Sequence, residues 1–309
     1  MTFSIVARDP ATGDLGIAVA SKFLAVGSVV SHARAGVGGV ATQALANYVY
    51  GPDALELMSG GLSASEALAR LTAADEGRDH RQAGIVDVAG GSATFTGGGC
   101  LDWAGGQTAP GIAAQGNILT GPDVVDALID TFVGSSMPFP ERLVRALKAA
   151  EDAGGDRRGR QSAALLVVRE GGGYGGNNDR WIDLRVDDHL EPINELGHLL
   201  ELKHLYGDKP SPTDLIPIGD AIADELQQLL TAAGFTPERL SGKRSLAEMI
   251  ESMGIERTGE PRELPASWDT QWEGALAEWM SVENLEERMT ARGWIDPRVL
   301  EHLRAQGHR

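Results

Sequence analysis

The chain has 309 residues, 42% of them hydrophobic and 23% charged, with a formal charge of −17 and a pI near 4.8. That length suits one large or two ordinary domains, and the balance of residues is that of a globular protein. Phosphate backbones and anionic bilayers reward clustered Lys and Arg, which this acidic sequence lacks, so neither nucleic acid nor membrane is an expected partner.

Cys100 is the only cysteine, so no internal disulfide can form. Residues 1 to 25 show no basic segment ahead of an apolar run, and the expected compartment is the cytoplasm.

In the first segment Phe3, Ile5 and Ala7 alternate with Ser4, Val6 and Arg8, a turn follows at Pro10 to Asp14, and Ile17 to Ala20 is apolar throughout. Residues 2–8 and 15–21 are therefore expected to pair as a buried β-hairpin. Further strand-like runs also come in pairs: 28–34 with 37–43, 82–88 with 92–96, and 162–169 with 181–186. Helical periodicity covers 51–74 with a break at Gly60 and Gly61, then 121–134, 139–153 and 190–205. Paired strands followed by paired helices describe an α+β fold, antiparallel sheets covered by helices. GGGYGGNND at 171–179 is expected to form a loose hairpin tip.

Glycine is dense up to Gly207 and sparse beyond it. GDKPSPTDLIPIGD, residues 207–220, holds three prolines and two glycines and is expected to link a domain at 1–206 to a small all-α domain at 221–309. Helices are expected there at 218–233, 245–252, 266–280, 283–291 and 297–305. Trp268, Trp272 and Trp279 share one helix face with Leu276, a stripe that reads as core.

A hydroxyl residue that opens a buried strand at position 2 suits nucleophilic catalysis. With Met1 removed, Thr2 supplies the attacking hydroxyl and, through its own α-amine, the base.

The segments TFSIVARDPATGDLGIAVASKFLAVG, AGVGGVATQ, AAQGNILTG and GDRRGRQSAALLVV together resemble an uncharacterised bacterial family placed in the N-terminal nucleophile (Ntn) hydrolase superfamily. The resemblance spans residues 1 to about 206. It implies a four-layer αββα sandwich like that of proteasome subunits, with Thr2 as nucleophile and Ser21 and Lys22 close to it at the end of the second strand. It also implies oxyanion donors around Thr42, Gln43 and Asn47, a polar turn at Gln115 to Asn117, and a polar segment from Asp156 to Ser162 that includes Arg158 and Gln161.

The carboxyl-terminal part is similar to a helical domain named for peptidoglycan binding. Such an exported ligand fits poorly with the absent signal peptide, so the name is taken as architecture.

The function expected from these residues is hydrolysis of a small-molecule amide; the alternative is a non-catalytic binding or scaffold protein that keeps the fold. Gln43 and Asn117 carry amides able to point N–H groups at an oxyanion. Lys22 either lowers the pKa of the Thr2 amine or pairs with a carboxylate at a strand end. The cluster Asp156, Arg157, Arg158 and Arg160 either caps a strand or recognises a substrate carboxylate. Asp188 reads as a helix N-cap, and Cys100 as a small buried hydrophobe.

The scattered histidines show no zinc spacing. AGVGGVA at 35–41 approximates a dinucleotide fingerprint but sits outside any βαβ unit. Neither a metal nor a cofactor is expected, and a homo-oligomer is possible because exposed hairpins often associate.

Overall fold

The computed structural model describes residues 2–240, 252, 254 and 256–306. It divides into two compact units, residues 1–200 and 201–309.

In the first unit, strands β1 (Thr2–Arg8), β2 (Leu15–Ser21), β7 (Gly105–Ala109), β8 (Ile112–Asn117), β9 (Ser162–Val168) and β10 (Arg180–Val186) form one sheet in the order β10-β9-β2-β1-β8-β7. Strands β3 (Ser31–Arg34), β4 (Gly38–Ala44), β5 (Arg81–Asp87) and β6 (Ser92–Thr96) form a second sheet in that order. All of these pairings are antiparallel. The four expected hairpins are present, and β7 with β8 makes a fifth.

The period-2 alternation of β1 decides where its side chains go. Phe3, Ile5 and Ala7 enter one core together with residues of α4 (Asp123–Gly134), α5 (Phe139–Asp152) and α6 (Pro192–Gly207), such as Leu128, Leu143 and Leu196. Val6, on the other face, joins Ile17, Val19, Ala41 and Val86 in a core built from strands of both sheets. A third core packs Val40, Ala83 and Ile85 against α2 (Tyr50–Ser59) and α3 (Ala64–Ala74). Ser63 closes the start of α3 with a capping box to Glu66.

Two expectations are corrected within this unit. Residues 27–30, Gly27–Val30, form a single helical turn (α1) and the strand begins only at Ser31. Gln115 to Asn117 lies within strand β8, not in a turn after it.

In the second unit, a core of Leu226, Leu230, Trp268, Trp279, Leu285, Val299 and Leu303 joins the helices Asp220–Ala233, Thr270–Val282 and Pro297–Gln306. Trp272 stacks on Trp268 with ring centroids 6.0 Å apart, and the three tryptophans belong to this core as expected, although Trp268 precedes the helix Thr270–Val282 and is not on its face.

Ile216–Pro217, inside the proline-rich segment, pairs antiparallel with Trp294–Ile295. The helix expected at 283–291 is reduced to the 3-10 turn Glu286–Arg288, because Asn284 takes a left-handed conformation (φ 59°) directly after the helix ends. The helix expected at 245–252 lies, apart from Ser252, outside the described residues. No helix among the described residues is long and apolar enough to cross a membrane.

Candidate active site

Thr2 opens β1 between two neighbours in the sheet, opposite Asn117 on β8 and beside the end of β2. It is 6% exposed, and its Oγ1 lies 3.1 Å from Ser21 Oγ. The hydroxyl therefore sits at the end of a central strand without leaving the core.

Beneath it the two sheets meet through buried amides rather than apolar side chains. Ser4 Oγ donates to Gln43 Oε1 at 2.7 Å and accepts from Gln115 Nε2 at 2.7 Å. Gln43 Nε2 faces Thr2 O at 3.2 Å, Gln82 Oε1 at 2.8 Å and Gln115 O at 3.4 Å. Asn117 Nδ2 donates to the same Gln82 Oε1 at 2.9 Å.

Buried amides paired in this way fix one arrangement of their strands, because each lost partner leaves a costly orphan, and within this network Gln115 Oε1 is buried without a hydrogen-bond partner. Gly84 makes room for the network: a Cβ there would lie 1.9 Å from Gln115 Oε1.

The Thr2 face of this network opens into a cavity of about 780 Å³. Phe23, Val26, Val29 and Val30, from the segment after β2, supply part of its apolar lining, and Ala44 at the end of β4, with Leu45 and Ala46 after it, supplies another part. Cys100 and Leu101, from the loop between β6 and β7, together with Ile118 after β8, extend that lining. Thr2, Gln43 and Asn117 contribute polar groups, and His80, Arg81 and Arg158 contribute nitrogen-bearing side chains.

Two of the residues on this wall are backbone outliers, Ala44 (φ 70°) and Ile118 (φ 53°), and Ala25 (φ 53°) stands beside Val26. A β-branched residue in the left-handed region is strained, at a cost on the order of 1–3 kcal/mol, and such strain collects at functional sites.

The electrostatics of the wall are set by Asp75. Arg81 Nε lies 3.0 Å from Asp75 Oδ2, and Arg81 Nη1 donates to the Leu45 carbonyl at 2.5 Å. The Arg81 guanidinium, with help from Gly77 N–H, Asn47 and Tyr50, brings the Asp75 carboxyl down to about 2. Burial, and then the hydrogen bond to Asp75, push the Tyr50 hydroxyl up to about 12.

Of the residues singled out in the sequence, Thr2, Gln43, Asn117 and Arg158 meet at this cavity. Ser21 touches Thr2, and Gln115 lies behind it in the network. Asp156 accepts from Arg158 N at 2.8 Å and from Lys22 N at 2.8 Å, and lies 3.3 Å from Arg158 Nη2, so it holds the Arg158 segment. A smaller cavity of about 150 Å³ touches Ser21 and Asp156 from the side of Phe3 and Arg160.

Three residues point elsewhere. The Lys22 ammonium donates to the Arg160 carbonyl at 3.1 Å. Gln161 reaches Asp188 Oδ1 at 3.1 Å, and Ser162 Oγ is taken up by Phe23 O at 2.5 Å and Val26 N at 3.1 Å. Asp188 is thus a partner of Gln161 and not a helix cap. Cys100 is half-buried on the cavity wall, with burial pushing its thiol pKa up, so it is not the enclosed hydrophobe expected. The Asn47 amide is spent on Asp75 and on Val49 N.

Gln82 was not singled out in the sequence, although it joins more of the network than any residue that was. Its signal is a lone amide on a strand whose neighbours Ala83, Ile85 and Val86 are apolar. Phe23, Leu45 and Leu101 are 51–65% exposed in loops, where apolar side chains stand out as candidate binding residues. Among the described residues no group of three His, Cys, Asp or Glu side chains could hold a metal ion.

A family model described as a family of unknown function (DUF1028) matches residues 2–196, and one described as a putative peptidoglycan binding domain matches residues 243–303. The crystal structure of protein SPO2555 from Silicibacter pomeroyi, a chain described by the same DUF1028 family model, is similar at 33% identity with a TM-score of 0.61. That similarity covers 72% of this chain and 92% of the other. No curated protein matches the chain.

Proposed function

This chain belongs to the DUF1028 family of unknown function, and from its site we propose that it is an amidohydrolase of the Ntn type that cleaves the C–N bond of a small-molecule amide with Thr2 as nucleophile. The observation that carries this reading is the place of Thr2. Its hydroxyl stands 3.1 Å from Ser21 Oγ at the start of a central strand, on the wall of a cavity large enough for a drug-sized ligand.

The order of the three cores supports the companion reading of a four-layer αββα sandwich. The segment at 243–303 is read as an accessory module, by architecture and not by ligand.

In the proposed reaction Thr2 Oγ attacks the amide carbonyl while the Thr2 α-amine, freed by removal of Met1, accepts the hydroxyl proton and passes it to the leaving nitrogen. The C–N bond breaks and leaves an acyl ester on Thr2, which water hydrolyses. Gln43 has both amide hydrogens committed to Thr2 O and Gln82, so it holds the strand end in place. Asn117 spends one hydrogen on Gln82 and keeps the other for the oxygen that becomes negative.

The test is a screen of amides and carboxamides with protein whose intact mass shows that Thr2 is amino-terminal, beside Thr2→Ala. Turnover that disappears in the variant supports the reading. Equal turnover in both forms rejects Thr2, and no turnover by any processed form favours a binding protein.

A further inference from the structure

One wall of the 780 Å³ cavity is the turn α1, where Val26, Val29 and Val30 stand at i, i+3 and i+4 and so share a face. Two contacts seat this turn on β9. Val26 N donates to Ser162 Oγ at 3.1 Å, and Gly27 packs so closely that a Cβ there would lie 2.3 Å from Ala164 Cβ. Val26 and Val30 are 1% and 3% exposed, whereas Phe23, Leu45 and Leu101 on the same lining are mostly open to water. The valines therefore form the floor of the cavity, and the larger side chains its mouth.

The charges on the wall call for no ionic ligand. Arg81 is paired with Asp75 at 3.0 Å and with the Leu45 carbonyl, and Arg158 with Asp156 at 3.3 Å. His80, the remaining nitrogen-bearing side chain there, is exposed. A charged group carried to the floor would lose its water among aliphatic side chains, a cost that nothing on the floor repays.

The order of events at Thr2 decides which half of an amide lies on that floor. Once the C–N bond is broken the amine must depart to admit water, while the acyl group stays bonded to Thr2. The half that stays fits the closed end, and the half that leaves fits the mouth.

Resting on the amidohydrolase reading above, we propose that the substrate class is a neutral amide with an aliphatic acyl chain, and that Val26, Val29 and Val30 are the residues that select that chain. The reaction balances without a further reactant. Thr2 Oγ bonds to the acyl carbon, the C–N bond breaks, and the Thr2 proton leaves on the amine. Water then splits the acyl ester, releasing an aliphatic carboxylic acid and restoring the Thr2 hydroxyl.

Binding is measured on the full chain carrying Thr2→Ala, or the isosteric Thr2→Val should the first variant melt early, so that no ligand turns over. Ligand-detected NMR titrations compare N-methylpropanamide, N-methylheptanamide and the N-methyl monoamide of pimelic acid, in which a carboxylate replaces the terminal methyl of the heptanoyl chain. Affinity is expected to rise about 3-fold per methylene from the propanamide to the heptanamide, and to fall at least about 10-fold on adding the carboxylate. Val29→Phe, which fills the floor, should weaken the heptanamide at least about 10-fold and leave the propanamide within about 2-fold. If that variant does not fold, Val30→Thr keeps the shape, sets a hydroxyl on the floor and should weaken the heptanamide about 3-fold or more.

Equal affinity for the short and long amides, no binding of the heptanamide, tighter binding of the carboxylate, or a chain preference untouched by a folded valine variant would each overturn the proposal. Turnover by processed wild-type protein is measured separately on N-methylheptanamide and its isomer N-hexylacetamide, which carries the chain on nitrogen. The first is expected to be cleaved with a kcat/KM at least about 10-fold higher, and the reverse order would overturn the placing of the acyl half. Binding with the expected preference but no turnover of either isomer defeats the amidase reading alone, whereas turnover confined to short or charged amides defeats the substrate class alone.

Discussion

Gln82 on β5 donates through Nε2 to the Gly116 carbonyl on β8 at 2.7 Å, which ties a strand of the four-stranded sheet to a strand of the six-stranded one. The same Nε2 faces Thr96 Oγ1 at 2.9 Å, while its Oε1 receives Gln43 and Asn117. One side chain therefore sets the spacing of the two residues that flank Thr2.

Gln82→Met keeps the length of this side chain and removes its amide, which leaves Gln43 Nε2, Asn117 Nδ2 and Gly116 O short of a partner. Each buried orphan costs about 1–3 kcal/mol. With partial relaxation, the expected loss is about 3 kcal/mol, a fall in Tm of about 10 °C for a unit of this size. Thermal melting followed by far-UV circular dichroism measures it, and a Tm unchanged from wild type would mean the network does not hold the sheets.

Thr2→Ala is expected to remove amide turnover while leaving the melting temperature within about 3 °C of wild type. The backbone pairing of β1 with β2 and β8 does not depend on the side chain, and a single hydrogen bond contributes about 1 kcal/mol. Thr2→Ser, which keeps the hydroxyl, should retain activity. A Thr2→Ser protein as inactive as Thr2→Ala would point away from nucleophilic attack by this residue.

Gln43 and Asn117 should part company on substitution. Asn117→Ala removes the amide hydrogen assigned to the oxyanion and is expected to lower kcat by about 10²-fold or more, since one such donor is worth about 3 kcal/mol. Gln43→Ala instead breaks bonds to Ser4 Oγ, Thr2 O and Gln82 Oε1, so its main effect should be on Tm. If kcat in Gln43→Ala, measured on the folded fraction, fell further than in Asn117→Ala, the two roles would be exchanged.

This division of labour was not legible in the sequence. Alternation along β1 and the apolar runs of β2, β5 and β9 were enough to place the hairpins, because those strands bury aliphatic side chains. Strand β7 escaped notice because GGQTA offers no aliphatic alternation. Strand β8, IAAQGN, fills its buried positions after Ile112 with alanine, glycine and amides, and a hydrophobicity pattern cannot see hydrogen bonds between amides far apart in sequence.

Val26, Val29 and Val30 have the composition of a strand, yet the chain turns helically there and lines the cavity. Lys22 next to Ser21 suggested a charge beside Thr2. Side chains at successive strand-end positions point to opposite sides, and the ammonium goes to the Arg160 carbonyl.

The Asp75–Arg81 pair predicts a dependence on pH. Arg81, as the largest influence, holds the Asp75 carboxyl at about 2 in the folded protein against an ordinary value of 3.8. A depressed carboxyl contributes stability that is fully present above the ordinary value and is lost as pH falls through the folded one. The destabilisation caused by Asp75→Asn should therefore be largest at pH 5 and above and shrink between about pH 4 and pH 2. Tm differences between wild type and variant across that range provide the measurement, and a difference constant with pH would show that the ion pair contributes nothing.

The last prediction concerns the second unit. Arg288 and Asp296 are each 3% exposed and face one another at 2.5 Å, with Arg288 also donating to the His204 and Leu205 carbonyls at 2.6 Å. Asp296 Oδ1 further accepts from Arg298 N at 2.9 Å at the start of the helix Pro297–Gln306. Arg288→Met would strand a buried carboxylate and two carbonyls, a change that costs about 3–5 kcal/mol when one partner of such a pair is removed.

Adding Asp296→Asn removes the stranded charge, so the double variant should be more stable than Arg288→Met alone, a non-additivity that a double-mutant cycle reads directly. Trp268, Trp272, Trp279 and Trp294 all lie in this unit, so tryptophan fluorescence on heating follows mainly its melting. Should Arg288→Met melt with wild type, or the double variant prove less stable than the single one, the buried pair would have no part in holding this unit together.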